Sequence, residues 1–195
     1  MTTPEDRIID TLVALDPLAE LPRTGWLLRG VRPCESIADH SYGVALMALL
    51  LTDALKAEGQ VVNGERVLRM AIVHDAPEAR TGDVPMPVKT AEAERAWDVV
   101  DARLARDLLP DLLLSDWQEL EAGATLEARI VKAADKLQMM TKALIYGEAR
   151  RGKLDEFWAN PKNFRDMGLP LAKRIYLRLR ERAGRSEPSG HGNLG

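Results

Sequence analysis

Cysteine is nearly absent: the chain of 195 residues holds one, Cys34. A lone thiol excludes an internal disulfide framework and fits a reducing compartment. Long hydrophobic runs are missing too. The longest, Val44 to Leu51, falls far short of the roughly 20 residues that cross a bilayer. The opening Met1-Thr-Thr-Pro-Glu-Asp-Arg7 lacks the basic and then apolar pattern of a secretory leader, so a soluble, cytoplasmic protein is expected. Neither sign of charge is in excess. The net charge of −3 implies no general attraction to a nucleic-acid polymer or an anionic membrane. Segments that alternate in the manner of a strand are almost wanting.

What is present is ordinary for a folded protein. Hydrophobic residues at 46% and charged residues at 29% exclude disorder across the whole chain. The length suits one domain. Ala, Leu, Arg and Glu, all strong helix formers, dominate, while Gly and Pro sit mostly between periodic stretches. Thr3 before Pro4 opens a helix to about Asp16, and Leu18 to Pro33 reads as irregular. Ser36 with Asp39 resembles a capping box and opens a long apolar helix to about Glu58. Asn63 caps a helix that runs to about His74 or Asp75. The loop from Thr81 to Pro87 is closed to helix by two prolines. Helices are then expected over about Lys89–Leu109, Leu112–Glu121, Leu126–Glu148 and Pro170–Ala183. The predicted architecture is all-α, a compact helical bundle over residues 1–183, with 184–195 as a Gly/Ser/Pro-rich tail.

Histidine is scarce, with three in the chain, and His191 falls in the expected tail. The other two stand beside carboxylates at helix ends. His40 follows Asp39, and His74 precedes Asp75 at the end of an apolar segment. Glu78 lies four residues beyond His74, and Asp135 interrupts the apolar stripe of a later helix. Taken singly, each has a plain reading. His40 serves as a capping or core histidine, Asp135 pairs with Arg129 or Lys132, and Glu78 is a solvated acid. Together, two imidazoles and two carboxylates are what a divalent cation such as Mn, Co, Fe, Mg or Zn accepts. A cation would also offset a carboxylate on an apolar helix face.

His40, His74-Asp75 and Asp135, each at a helix, resemble the HD superfamily of metal-dependent phosphohydrolases. Four segments resemble its 5′-deoxynucleotidase subgroup: Arg23-Thr-Gly-Trp26, Glu35 to Ser41, His74-Asp-Ala-Pro-Glu78 and Thr81 to Lys89. The likeness covers about Leu21 to Arg150. It implies a helical bundle holding one divalent metal ion (Co, Mn or Mg, with Fe or Zn as further candidates) through His40, His74, Asp75 and Asp135. It also implies that Glu78 acts on the attacking water and that Asp83 contacts the sugar 3′-hydroxyl, with Thr81 and Ser41 as neighbours of weaker claim. Arg23 and Trp26 are the implied substrate contacts. Bacterial members join this Arg and Trp directly, whereas Thr24-Gly25 separates them here, as in the eukaryotic-type members. Trp26 is therefore read either as stacking on substrate or as a hydrophobic plug between helices.

The resulting expectation is a nucleotidase that removes the 5′-phosphate from (deoxy)ribonucleoside monophosphates, acting as a homodimer on a small nucleotide. Three rivals stand beside it: a deoxynucleoside triphosphate triphosphohydrolase at the same centre, a non-catalytic nucleotide-sensing module, and a two-iron oxygenase. Keeping Glu78 and Asp83 argues against the module, and too few histidines remain for two irons. Trp97, Trp117 and Trp158 read as core or interface residues, Cys34 as packing, and Lys173 to Arg182 as a solvated helix face.

Overall fold

A computed structural model of the chain describes residues 3–85 and 91–185. It consists of helices, with no strand among the described residues; a single isolated antiparallel bridge joins Pro22 to Ser36. The chain runs α1 (Pro4–Leu15), α2 (Pro17–Glu20), α3 (Thr24–Leu27), α4 (Ile37–Ala57), α5 (Gly64–Val73) and α6 (Glu78–Thr81). It continues through α7 (Ala91–Leu108), α8 (Asp111–Ala122), α9 (Leu126–Glu148), α10 (Asp155–Ala159), a 3₁₀ turn (Pro161–Phe164) and α11 (Pro170–Arg182).

Local chemistry sets the main boundaries. Thr3 and Asp6 form a capping box on α1, and Ser36 and Asp39 form one on α4. Asn63 accepts from the Arg66 amide to start α5. In each case a short polar side chain satisfies an amide that the first helical turn leaves without a partner.

Packing is centred on α4 and α9, which lie against each other, with α5, α8 and α11 around them. Val44, Ala48, Leu51 and Leu55 share one face of α4 by their spacing. They belong to the same buried cluster as Ile130, Ala134 and Leu137 of α9. Each large aliphatic side chain buried there contributes about 1.5–3 kcal/mol. A second cluster joins Val73 and Ala76 to Ala105, Leu108 and Trp117, and so ties the end of α5 to α7 and α8.

Several expectations need correction. The stretch from Leu18 to Pro33 is not wholly irregular, since α2 and α3 each complete a turn there. α10 and the 3₁₀ turn lie where no helix was expected. The helix predicted from Lys89 is α7, which starts at Ala91 in the described residues. Met86 to Thr90, including Lys89, lie outside them, as does the expected tail with His191 apart from Gly184 and Arg185. The basic face of α11 is not all solvated. Arg180 is 9% exposed, lies 3.7 Å above the Phe164 ring and donates to the Trp158 carbonyl. An aromatic face attracts a desolvated guanidinium, which explains the inward turn.

The link between α9 and α10 depends on Gly152, which has φ +75°. A Cβ there would sit 2.5 Å from Val31 Cγ2 and 2.7 Å from the Arg29 carbonyl oxygen. That same carbonyl accepts from the Lys153 amide at 2.8 Å. Gly152→Ala is therefore expected to cost about 2–4 kcal/mol, combining left-handed backbone strain with a clash against main chain. A wild-type Tm in a calorimetric scan of the variant would refute this.

Candidate metal centre and active-site cavity

Three helix ends and the middle of α9 bring the candidate residues together. The capping box puts His40 in the first turn of α4, where it is 0% exposed. α5 stops at Val73, and His74 and Asp75 occupy the turn that follows. The Glu78 amide then donates to the Asp75 carbonyl, so the chain re-enters a helical turn at α6. Glu78 thus reaches the site through a tight turn and a new helix, not through an unbroken continuation of α5. Gly82, with φ +69°, turns the chain into Asp83. α9 contributes Asp135, Lys136 and, one turn on, Gln138.

The two imidazoles face each other, their Nε2 atoms 3.3 Å apart. Asp75 Oδ2 is 3.2 Å from His74 Nε2 and 3.7 Å from His40 Nε2. Asp135 Oδ1 is 3.4 Å from His40 Nε2. One ligand atom each from His40, His74 and Asp135 lies within 4.8 Å of the others, close enough for one cation to bind all three. His74 Nδ1 lies 2.9 Å from the Ala71 carbonyl. A carbonyl only accepts, so Nδ1 carries a hydrogen and Nε2 is the nitrogen turned inward, with a lone pair when the ring is neutral.

Charge points the same way. Arg23 Nη1 is 3.2 Å from Asp75, 3.3 Å from Asp83 and 3.7 Å from Glu78, and Lys136 Nζ is 2.9 Å from Asp135. Four carboxylates around two cations leave a negative surplus. Burial opposes the charge on Arg23, but Asp75, Asp83, Glu78 and Asp135 outweigh it and raise its pKa. Burial also opposes the ionised form of Asp75. The His74 charge and hydrogen bond, with Arg23 behind them, overcome that and hold the carboxyl below its usual range. For Asp135, burial is outweighed by Lys136 and His40, and its pKa is lowered. His74 is raised, because the charge and hydrogen bond of Asp75 exceed the cost of burying the imidazolium. Two inward imidazole nitrogens within a surplus of carboxylates suit a divalent cation, which would replace the shared protons and offset the charge.

The cavity beside these residues measures about 530 Å³, a size suited to a small molecule. Arg23, Asp75, Glu78, Asp83, Asp135 and Lys136 form part of its lining. Another part comes from α10 and the 3₁₀ turn, with Phe157, Asn160, Lys162, Asn163 and Arg165. Sequence reasoning missed this wall, although the Asn160-Pro161 pair is a turn signal that could have shown a break there. It also missed Lys136 and Gln138. Two substrate-contact candidates have their polar groups engaged elsewhere. Trp26 is 2% exposed, stacks on Phe157 at 4.4 Å and donates its indole hydrogen to Glu35. Its ring is a packed part of the cavity wall, with an edge reaching the lining. Thr81 donates its hydroxyl to the Gly82 carbonyl and so secures the loop before Asp83. Cys34 is half-buried with its thiol towards the Arg23 carbonyl; Trp117 and Trp158 are buried and Trp97 partly so.

The chain resembles known proteins over most of its length. The HD domain family matches residues 15–166. The 5′-deoxynucleotidase HDDC2 of Danio rerio is 33% identical over 162 residues, covering 80% of this chain and 78% of its own. The human protein of that name is 32% identical over 159 residues, covering 77% and 74%. Among solved structures, the PH0347 protein of Pyrococcus horikoshii OT3 superposes with a TM-score of 0.76 at 35% identity, covering 90% of this chain and 98% of that one. A predicted metal-dependent phosphohydrolase from Magnetospirillum magnetotacticum MS-1 superposes at 0.60 with 26% identity, covering 96% and 100%. With a histidine-aspartate pair at the end of α5 and an all-helical frame around it, this chain belongs to the HD domain family.

Proposed function

We propose that this protein is a metal-dependent phosphohydrolase that removes the 5′-phosphate from deoxyribonucleoside monophosphates, yielding nucleoside and orthophosphate. The observation that carries the reading is the convergence of His40, His74, Asp75 and Asp135 next to a cavity that Arg23, Asp75, Glu78 and Asp135 line. Relatives of similar length named 5′-deoxynucleotidases support it. Residues 1–183 act as one unit in this reading, supported by a buried cluster that includes both Trp26 and Leu179. No helix of the described residues is long and apolar enough to cross a membrane; the lone thiol, Cys34, supports a reducing, cytoplasmic setting.

His40, His74, Asp75 and Asp135 would hold one divalent ion, with Co, Mn or Mg the candidates. Such an ion supplies Lewis acidity towards the phosphoryl group and makes water more acidic. Glu78 takes a proton from the attacking water as its oxygen bonds to phosphorus. The bond from phosphorus to the 5′-oxygen breaks, and Glu78 returns the proton to that oxygen. Arg23 turns its guanidinium to the phosphoryl oxygens, where charge is spread during transfer. Asp83, anchored by the Gly25 amide at 3.2 Å, accepts from a sugar hydroxyl. Trp26 bears on the sugar through the wall that it holds in place, and Thr81 keeps Asp83 in register. The exposed apolar face of Ile8, Ile9, Leu12 and Val13 on α1 supports a homodimer, which a mass from light scattering checks.

A panel of deoxynucleoside mono-, di- and triphosphates with Mn, Co and Mg tests the reaction. Orthophosphate released from the monophosphates is the expected result. Triphosphate released from the triphosphates, with monophosphates untouched, would overturn the reading in favour of a triphosphohydrolase.

A further inference from the structure

On the Nδ1 side of the His40 ring lies a chain of polar groups in which Glu35 and Gln138 have no part in the proposed reaction. His40 Nδ1 is 2.7 Å from Gln138 Oε1. Gln138 Nε2 is 3.0 Å from Glu35 Oε2, and the Trp26 indole nitrogen is 2.8 Å from Glu35 Oε1. Lys142 Nζ lies 3.6 Å from Glu35 Oε2. Glu35 is 5% exposed and Gln138 8%. Polar groups so deeply placed are costly unless each finds a partner.

The sense of every bond in this chain is determined. The indole nitrogen can only donate, and the Glu35 carboxylate beside Lys142 accepts. Gln138 must therefore turn its NH₂ group to Glu35, because a flipped amide would set its oxygen against a carboxylate oxygen at 3.0 Å. That leaves the amide oxygen facing His40, so His40 Nδ1 must carry the hydrogen. The opposite tautomer would oppose two lone pairs at 2.7 Å. We infer that Glu35 and Gln138 are positioning residues, which lock His40 in the tautomer that presents an unprotonated Nε2 to the divalent-ion site.

Gly43 supports this assignment. A Cβ on Gly43 would lie 2.9 Å from both Cγ and Nε2 of Gln138, so the bare backbone of α4 leaves room for the amide. His74 has the simpler device of a main-chain carbonyl, whereas His40, whose Nδ1 faces another helix, needs a side chain from α9. Oriented ligand hydrogen bonds of this kind are usually worth about 10–100-fold in metal affinity.

The inference rests on the reading of His40 as a ligand, and the test separates the two. Nitrogen NMR of the metal-free wild type, at a pH where imidazole is neutral, reads the tautomer without any metal. The expected spectrum shows His40 protonated at Nδ1; protonation at Nε2 overturns the inference. Gln138→Met keeps the volume and removes both hydrogen bonds. It is expected to lose the tautomer preference and to weaken calorimetric Mn²⁺ binding by about 10–100-fold. Gly43→Ala, which displaces the amide without deleting it, should shift both readouts in the same direction. If either variant folds with the wild-type His40 spectrum and Mn²⁺ affinity, the inference fails. A wild type that takes up no Mn²⁺ defeats the metal reading instead, and the nitrogen spectrum still decides the tautomer.

Discussion

Glu78→Gln is expected to lower kcat by about 10²–10⁴-fold, the usual contribution of a positioned general acid–base group. That corresponds to about 2.7–5.4 kcal/mol of transition-state stabilisation. Gln has nearly the same size and polarity but lacks the basic oxygen, so the loss should fall on turnover. Metal content and Tm should hardly change. Arg23 keeps its contacts with Asp75 at 3.2 Å and Asp83 at 3.3 Å when the third, at 3.7 Å to Glu78, loses its charge. KM should also stay close to wild type, since the groups assigned to phosphate and sugar remain. Single-turnover hydrolysis of a deoxynucleoside monophosphate, with metal analysis of the same preparation, is the measurement. Unchanged turnover removes Glu78 from the mechanism, and a lost metal makes it a ligand.

Asp135→Ala and His74→Ala should each abolish turnover by depriving the site of its ion. Asp135 supplies the carboxylate nearest His40, at 3.4 Å, and it stands on α9 while both histidines stand at or near the ends of α4 and α5. Its removal therefore takes away a donor and the only tether in the proposed ligand set to α9. It also leaves Lys136, now 2.9 Å from the carboxylate, as an uncompensated positive charge beside the site. Both effects oppose a cation. The expected fall in affinity exceeds the roughly 10–100-fold that an outer hydrogen-bond partner is worth. Metal content of purified protein should drop from about one ion per chain to a trace. If both variants retain full metal and full activity, the proposed centre is wrong.

How much of this could be read from the chain alone varies with distance along it. The start of α4 follows from Ser36 and Asp39, which exchange bonds across three residues. The start of α5 follows from Asn63 and the Arg66 amide, also three apart. α9 was expected over Leu126–Glu148 and occupies that range. The resemblance drew His40, His74, Asp75 and Asp135 into one group, and the structure brings them within a few ångströms. The cavity was another matter. Phe157 and Asn160 to Arg165 offered only a short aromatic segment and a turn, too brief for helical periodicity to register.

Local sequence determined the helices, because caps and periodicity act through neighbours three or four residues away. It also determined the residue types able to bind a cation, since that depends on donor atoms more than on packing. Only the tertiary structure decided what surrounds those donors. Arg23 meets Asp75 across 52 residues, Gly25 meets Asp83 across 58, His40 meets Gln138 across 98 and Glu35 meets Gln138 across 103. No local rule reaches so far. The fold makes Trp26 a buried part of the cavity wall and ties the Thr81 hydroxyl to the Gly82 carbonyl. It also made Gln138, unremarkable on its helix, the partner of a buried imidazole. Burial is the physical reason: once these polar groups leave water, each must find a partner, and only the folded chain determines which one lies within reach.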